Sequence, residues 1–156
     1  MKIYLDTNTI VDFFINSAKS LKRKEELVVP TKYQFFVEKA GEIEFITSLL
    51  TKIEIVRELV SGFGMKKNDI EPTWNDFMKS LNCKFIDKFE TDLKVLDIVY
   101  SVPMKIRTVI NFQHLFIAMR EGAHILTGDK DLVSIVRKHK IYDKIITYPE
   151  LRGMFD

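Results

Sequence analysis

Cysteine is almost missing from this sequence. Cys83 is the only one among 156 residues, so no disulfide can close within the chain, and no Cys/His spacing resembles a zinc site. The expected role of Cys83 is that of a small apolar residue in a strand. Long apolar runs are missing too. None approaches the roughly 20 residues that a membrane helix needs, and Lys2-Ile3-Tyr4-Leu5-Asp6 carries no signal-peptide pattern. A cytoplasmic protein without a membrane partner is expected. Nor does one sign of charge dominate. The formal balance is +2, which does not by itself announce a nucleic-acid binder. No repeat, low-complexity tract or linker divides the chain, which predicts a single domain over 1–156.

What is present is ordinary for a folded domain: 46% hydrophobic and 29% charged residues. A chain of this length buries a core without staples. The basic clusters at Lys19, Lys22, Arg23 and Lys24, at Lys66 and Lys67, and from Arg137 to Lys140 read as solvated faces.

Ile3 to Leu5 reads as a buried strand. Asp6-Thr7-Asn8-Thr9 then supplies capping residues for a helix carrying Ile10, Val11, Phe13 and Phe14. Ser17 to Val29 reads as a loop or exposed helix end, and Tyr33 to Val37 as a helix that Gly41 stops. A strand at Ile43–Ile46 leads into a helix from Leu49 to Val60, ended by Gly62 and Gly64. A helix over Asn68–Leu81 and a strand over Cys83–Ile86 follow. Leu93 to Tyr100 is helical and closed by Pro103, and Val109–Arg120 is helical and capped by Gly122. His124–Thr127 is a strand, Leu132–His139 a helix, and Ile145–Tyr148 a last strand that Pro149 ends. This alternation predicts a three-layer α/β/α sandwich around a mostly parallel sheet.

In such sheets, sites form beyond the carboxyl ends of the strands. Asp6 follows the first strand directly. Asp129 follows His124–Thr127 across one glycine, with Asp131 just beyond, and Glu54 lies in the helix after the second strand among Ile53, Ile55 and Val56. Each acid has a plainer use: Asp6 as a helix cap, Asp129 and Asp131 as cap and turn residues, Glu54 as an ion-pair partner. Their common placement favours a shared site. Clustered carboxylates either take up protons or bind a hard cation, Mg²⁺ or Mn²⁺ where no soft ligand is near.

These residues resemble the PIN-domain family. Ile3-Tyr4-Leu5-Asp6-Thr7-Asn8 is similar to the family's opening strand. Ser48-Leu49-Leu50-Thr51-Lys52-Ile53-Glu54-Ile55 looks like its second motif, and Leu126-Thr127-Gly128-Asp129-Lys130-Asp131-Leu132 like its Thr-x-Asp motif. Ile146-Thr147-Tyr148-Pro149-Glu150-Leu151 resembles its last strand and turn. The resemblance spans nearly the whole chain. It implies a metal-dependent endoribonuclease acting on single-stranded RNA, of the toxin type (VapC-like), restrained by an antitoxin protein and forming a homodimer. Asp6, Glu54 and Asp129 would hold Mg²⁺ or Mn²⁺. Thr127 would hydrogen-bond a ligand or bound water, and Asp131 would be auxiliary. The ion would activate water for attack on the scissile phosphate, while Lys105, Arg107 and Lys130 would hold the RNA backbone.

One position departs from the family pattern. In the helix Asn111-Phe112-Gln113-His114-Leu115-Phe116-Ile117-Ala118-Met119-Arg120-Glu121-Gly122, Asn111 stands where the family carries a further catalytic Asp. An amide is neutral and holds Mg²⁺ less well. This leaves two readings of the position, a naturally weakened relative or an Asp-to-Asn change that disarms a nuclease. It also supports an alternative class, a non-catalytic RNA- or protein-binding module on the same scaffold. A phosphatase or receiver-like domain is a third class, disfavoured by the Thr-x-Asp strand and the Glu54 helix. His114 fits the family's helix pattern, and its plain reading is a helix residue satisfied by a neighbour.

Overall fold

The computed structural model describes residues 1–90 and 93–156. Its described residues form a five-stranded, wholly parallel sheet of strands β1 (Lys2–Leu5), β2 (Glu44–Ser48), β3 (Lys84–Ile86), β4 (His124–Leu126) and β5 (Ile145–Ile146), in the order β3-β2-β1-β4-β5. β1 is central: Ile3 pairs with Phe45 of β2 on one side and with His124 of β4 on the other.

The period of two along a strand explains why the central strands are apolar throughout. Ile3, Leu5, Phe45, Leu126 and Ile146 enter one core. Tyr4, Ile46, Ile125 and Ile145 enter the other, on the opposite face. The first core is covered by α1 (Thr7–Arg23), α2 (Thr31–Lys39), α3 (Leu49–Phe63), α4 (Lys67–Ser80) and α8 (Tyr148–Gly153). It is rich in rings, with Phe13 stacked on Tyr33 and Phe14 on Trp74. The second core is covered by α5 (Lys94–Ser101), α6 (Ile106–Arg120) and α7 (Lys130–Lys138). Crossovers stepping outward through β2 to β3 thus lie on one face, and those reaching β4 and β5 on the other. A single crossover handedness demands this arrangement. The order reverses between β1 and β4, so the carboxyl ends of these two strands flank a natural crevice.

Several boundaries differ from the sequence expectation. The first helix continues to Arg23 and stops where Lys24 turns left-handed at φ 53°, because Ala18 still reaches the core. Gly62 lies inside α3, and only Gly64, at φ 61°, ends it. Cys83 is half-buried just before β3 rather than in it, and burial pushes its thiol up to about 12. The last strand is shorter than expected, and Pro149 begins a helix instead of ending a strand. Thr147 and Glu150 form a capping box for α8, with the Thr147 N–H donating to Glu150 Oε2 at 2.7 Å. Thr-x-x-Glu is a helix-start signature, and proline is welcome in a first turn. No helix among the described residues is long and apolar enough to cross a membrane.

Candidate functional site

β1 ends at Leu5, and Asp6 becomes the N-cap of α1. Its Oδ1 accepts from the Thr9 N–H at 3.1 Å, and the Thr9 hydroxyl lies 2.7 Å from that oxygen. The plain capping role is therefore real, but it uses one oxygen. Asp6 is wholly buried, and its Oδ2 has no hydrogen-bond partner among the described residues. Burial raises the carboxyl above its ordinary range, against the lowering effects of His114, Thr127 and Thr9. A buried carboxyl so placed calls for a proton or a cation.

Asp129 repeats the pattern after β4. Its Oδ1 caps α7 by accepting from the Asp131 and Leu132 N–H groups at 3.0 and 3.1 Å. Its Oδ2 accepts the side-chain amide of Asn111 at 2.6 Å. The intervening Thr127 hydroxyl takes the Asp129 N–H at 3.1 Å. Gly128 donates its N–H to Asn8 Oδ1 at 2.7 Å, and a Cβ at this glycine would stand 3.1 Å from that same atom. The glycine thus lets the α1 and β4 loops close on each other.

Glu54, one and a half turns into α3, is likewise held by one oxygen. Oε1 accepts from the Thr7 hydroxyl at 2.8 Å and meets His114 Nε2 at 2.5 Å. No hydrogen bond reaches Oε2 from the described residues. Burial pushes Glu54 up, but the hydrogen bond and charge of His114, with the Thr7 hydroxyl, outweigh it and leave the carboxyl below its ordinary value. His114 is fully buried, and its Nδ1 lies 2.7 Å from the Tyr4 hydroxyl. Tyr4 in turn lies 2.7 Å from Ser48 Oγ.

Two adjoining cavities open here. One, of about 260 Å³, is lined by Glu54, Asn111, Asn8 and Arg107 among others. The second, of about 320 Å³, is lined by Asp129, Asp131, Lys105, Lys130, Asn8 and Arg107 among others. Asn8 and Arg107 belong to both. Asp131 is exposed and pairs with Lys105 at 3.7 Å.

The arrangement brings Asn111 onto Asp129 and His114 onto Glu54. As the side chains stand, no group of three or more His, Cys, Asp or Glu among the described residues could hold a metal ion. The donor chemistry still suits a hard cation: Asp6, Glu54 and Asp129 offer carboxylate oxygens, and Asp6 Oδ2 is buried without a partner among the described residues. Sequence reasoning underrated His114 and missed Tyr4, Ser48 and the bridging role of Asn8. The signal for Tyr4 was a phenol in a strand buried on both faces, where its hydroxyl needs a partner.

No protein-family model matches the chain, and no curated protein matches it either. Among solved structures, a chain of the crystal structure of VapBC2 from Rickettsia felis bound to a DNA fragment from their promoter is similar, with a TM-score of 0.53 and 16% identity. The match covers 94% of this chain and 97% of that one. At this identity the likeness is one of fold: an α/β architecture with a parallel sheet between helical layers, shared over almost the full length of both chains.

Proposed function

We propose that this chain is one PIN-like domain acting as a metal-dependent endoribonuclease on single-stranded RNA, weakened by Asn111. One observation carries the reading. Asp6 and Glu54 are each anchored through a single oxygen, by a helix N-terminus or by His114 and Thr7, and the second oxygen of Asp129, beyond its own helix cap, is held only by the Asn111 amide. A shared site is supported by the position of Asp6 and Asp129 directly beyond β1 and β4, the two strands between which the order reverses.

Asp6, Glu54 and Asp129 are the residues that would hold Mg²⁺ or Mn²⁺. Such an ion supplies Lewis-acid activation of water and neutralises charge developing on a phosphate. The chain's own groups do the rest. Arg107 and Lys130 line the cavity beside Asp129 without an ion-pair partner among the described residues, so both are available to a phosphodiester backbone. Lys105 is shared with Asp131. Thr127 and Asn8 fix the loop that carries Asp129.

The fold likeness to a VapBC2 chain supports a partner antitoxin protein and a cytoplasmic toxin role. An apolar stripe on α3 supports a homodimer: Leu49, Ile53, Val56 and Val60 line one shallow surface, and Ile53 and Val60 are exposed. The Asn111 amide on Asp129 favours a second reading, a non-catalytic RNA- or protein-binding module.

The deciding experiment incubates labelled single-stranded RNA with the chain and Mn²⁺, with Asp129→Ala and chelator as controls. Slow cleavage that both controls abolish supports the nuclease. Cleavage that survives both removes the metal-nuclease reading. RNA binding without cleavage, unchanged when Asn111→Asp is introduced, puts the binding module ahead.

A further inference from the structure

A buried polar chain from Ser48 through Tyr4 and His114 to Glu54 joins the two helical layers. Glu54 stands on α3, which packs through Ile55 and Leu59 into the first core. His114 stands on α6, which packs through Leu115 and Ala118 into the second. Tyr4 lies between them on the central strand, and Ser48 ends its neighbour. The bonds close with each group donating once. Ser48 Oγ lies 3.4 Å from the Thr51 N–H, which it accepts, and its own proton goes to the Tyr4 oxygen. The Tyr4 O–H goes to Nδ1 of His114, which leaves the Nε2–H for Glu54. An ionised carboxylate can only accept, so Nε2 carries a proton toward Glu54 in either form of the ring, and the Tyr4 and Ser48 directions above are those of the neutral ring. Tyr4, His114 and Ser48 are all buried, so water does not compete for these bonds.

We infer that His114, oriented by Tyr4 and Ser48, is the positioning residue for Glu54. It fixes Oε1 and leaves Oε2 for whatever the crevice binds. The inference rests on the reading of Glu54 as a site carboxylate. Without the His114 ring, Thr7 alone holds Glu54, and the side chain of an α3 residue is free to swing into the wide cavity toward Arg57 or Arg107, which line it. Outer hydrogen bonds of this kind typically change metal affinity 10- to 100-fold.

The test compares the chain with His114→Phe, His114→Gln and Tyr4→Phe. Nitrogen-15 NMR of the ring is expected to show a single form protonated at Nε2 in the chain as given, and loss of that uniformity in Tyr4→Phe. Mn²⁺ affinity, read by electron paramagnetic resonance, is expected to fall about 10-fold or more in His114→Phe. It is expected to recover most of the way in His114→Gln, whose amide can still donate to Glu54. If His114→Phe fails to fold, Tyr4→Phe carries the test, with a smaller loss in the same direction. A folded His114→Phe that binds Mn²⁺ as tightly as the parent overturns the inference, as does a ring protonated at Nδ1 alone. If the parent itself binds no Mn²⁺, the metal reading fails separately. The inference is then decided by the ring spectrum and by whether a crystal structure of His114→Phe keeps the Glu54 side chain in place; an unmoved Glu54 overturns it.

Discussion

The side-chain amide of Asn111 donates to Oδ2 of Asp129 across 2.6 Å. This bond joins α6 to the loop after β4 and satisfies the one Asp129 oxygen that the α7 cap leaves over. A carboxylate at position 111 would instead face Asp129 at hydrogen-bond distance, a like-charge contact that only a proton or a cation relieves. Asn111→Asp is therefore expected to lower the melting temperature in chelator and to enlarge the stabilisation given by Mn²⁺. Ribonuclease activity is expected to rise roughly 100-fold or more, as one recovered charged ligand implies. Calorimetry with and without Mn²⁺, beside an RNA cleavage assay, checks both. Equal behaviour of the two chains would mean that position 111 is not the missing ligand.

Asp6→Asn separates function from stability. The folded carboxyl is raised by burial, so the native state holds its proton more firmly than the unfolded chain does. Its stability is greatest below the ordinary carboxylate range and declines as pH rises through the raised value. At neutral pH without metal, Asp6→Asn is expected to melt higher than the parent, by about 3 °C for each 1 kcal/mol of relief in a chain of this size. The gap should widen from acid to neutral pH. Any Mn²⁺-dependent gain should vanish. A variant less stable than its parent at neutral pH would show that the ionised carboxyl is well accommodated.

Arg107 lines both cavities of the crevice, and Lys130 lines the one at Asp129. Arg107→Ala is expected to weaken single-stranded RNA binding at low salt and to flatten its salt dependence by roughly 0.7 in the log–log slope, one phosphate contact's share for a single strand. Lys66→Ala, on the N-cap of α4, serves as the comparison and should change neither. Fluorescence anisotropy over a salt series gives both numbers. An unchanged slope for Arg107→Ala would exclude it from the phosphate path.

Much of the fold was legible because strand and helix periods alternate cleanly along the chain. Ile3, Tyr4 and Leu5 announced a strand buried on both faces, and Gly64 and Gly122 marked helix ends with positive φ. The carboxyl-edge placement of Asp6 and Asp129 followed from their positions just after strands. Three things were not legible. The Tyr4–His114 bond spans 110 positions, and no local pattern encodes such a pairing. The anchoring of Asp6 and Glu54 by one oxygen each depends on side-chain geometry. The helix from Tyr148 is signalled by Thr147-Tyr148-Pro149-Glu150, but a proline after an apolar run reads equally well as a stop.

That last helix provides a stability test. Glu150 accepts the Thr147 N–H and hydroxyl at 2.7 and 2.8 Å and meets Arg137 through both oxygens. The Thr147 N–H is the largest influence holding its pKa down; burial, the next largest, opposes it, and the Thr147 hydroxyl and Arg137 add to the lowering. Glu150→Ala is expected to cost about 1 kcal/mol, and no more, because solvent screens a carboxylate this exposed. The cost should be fully present above the ordinary carboxylate range and disappear as pH falls through the depressed value. Urea melts at neutral and acidic pH read the difference. A cost independent of pH would assign it to packing instead.

The central place of β1 sets an order of assembly. Ile3 pairs with Phe45 early in the chain but must wait for His124 to gain its second neighbour, and Asp129 comes later still. Contacts between residues so far apart in sequence close slowly and late. On a translating ribosome, the first half of the protein can bury much of its ring-rich core while Asp6 has only Glu54 beside it and no Asp129. A chain cut short before β4 has Asn8, Glu54, Arg107 and Asn111 but lacks the Asp129 side of the crevice. The three carboxylates proposed for the site stand together only after β4 and the loop that follows it have been made.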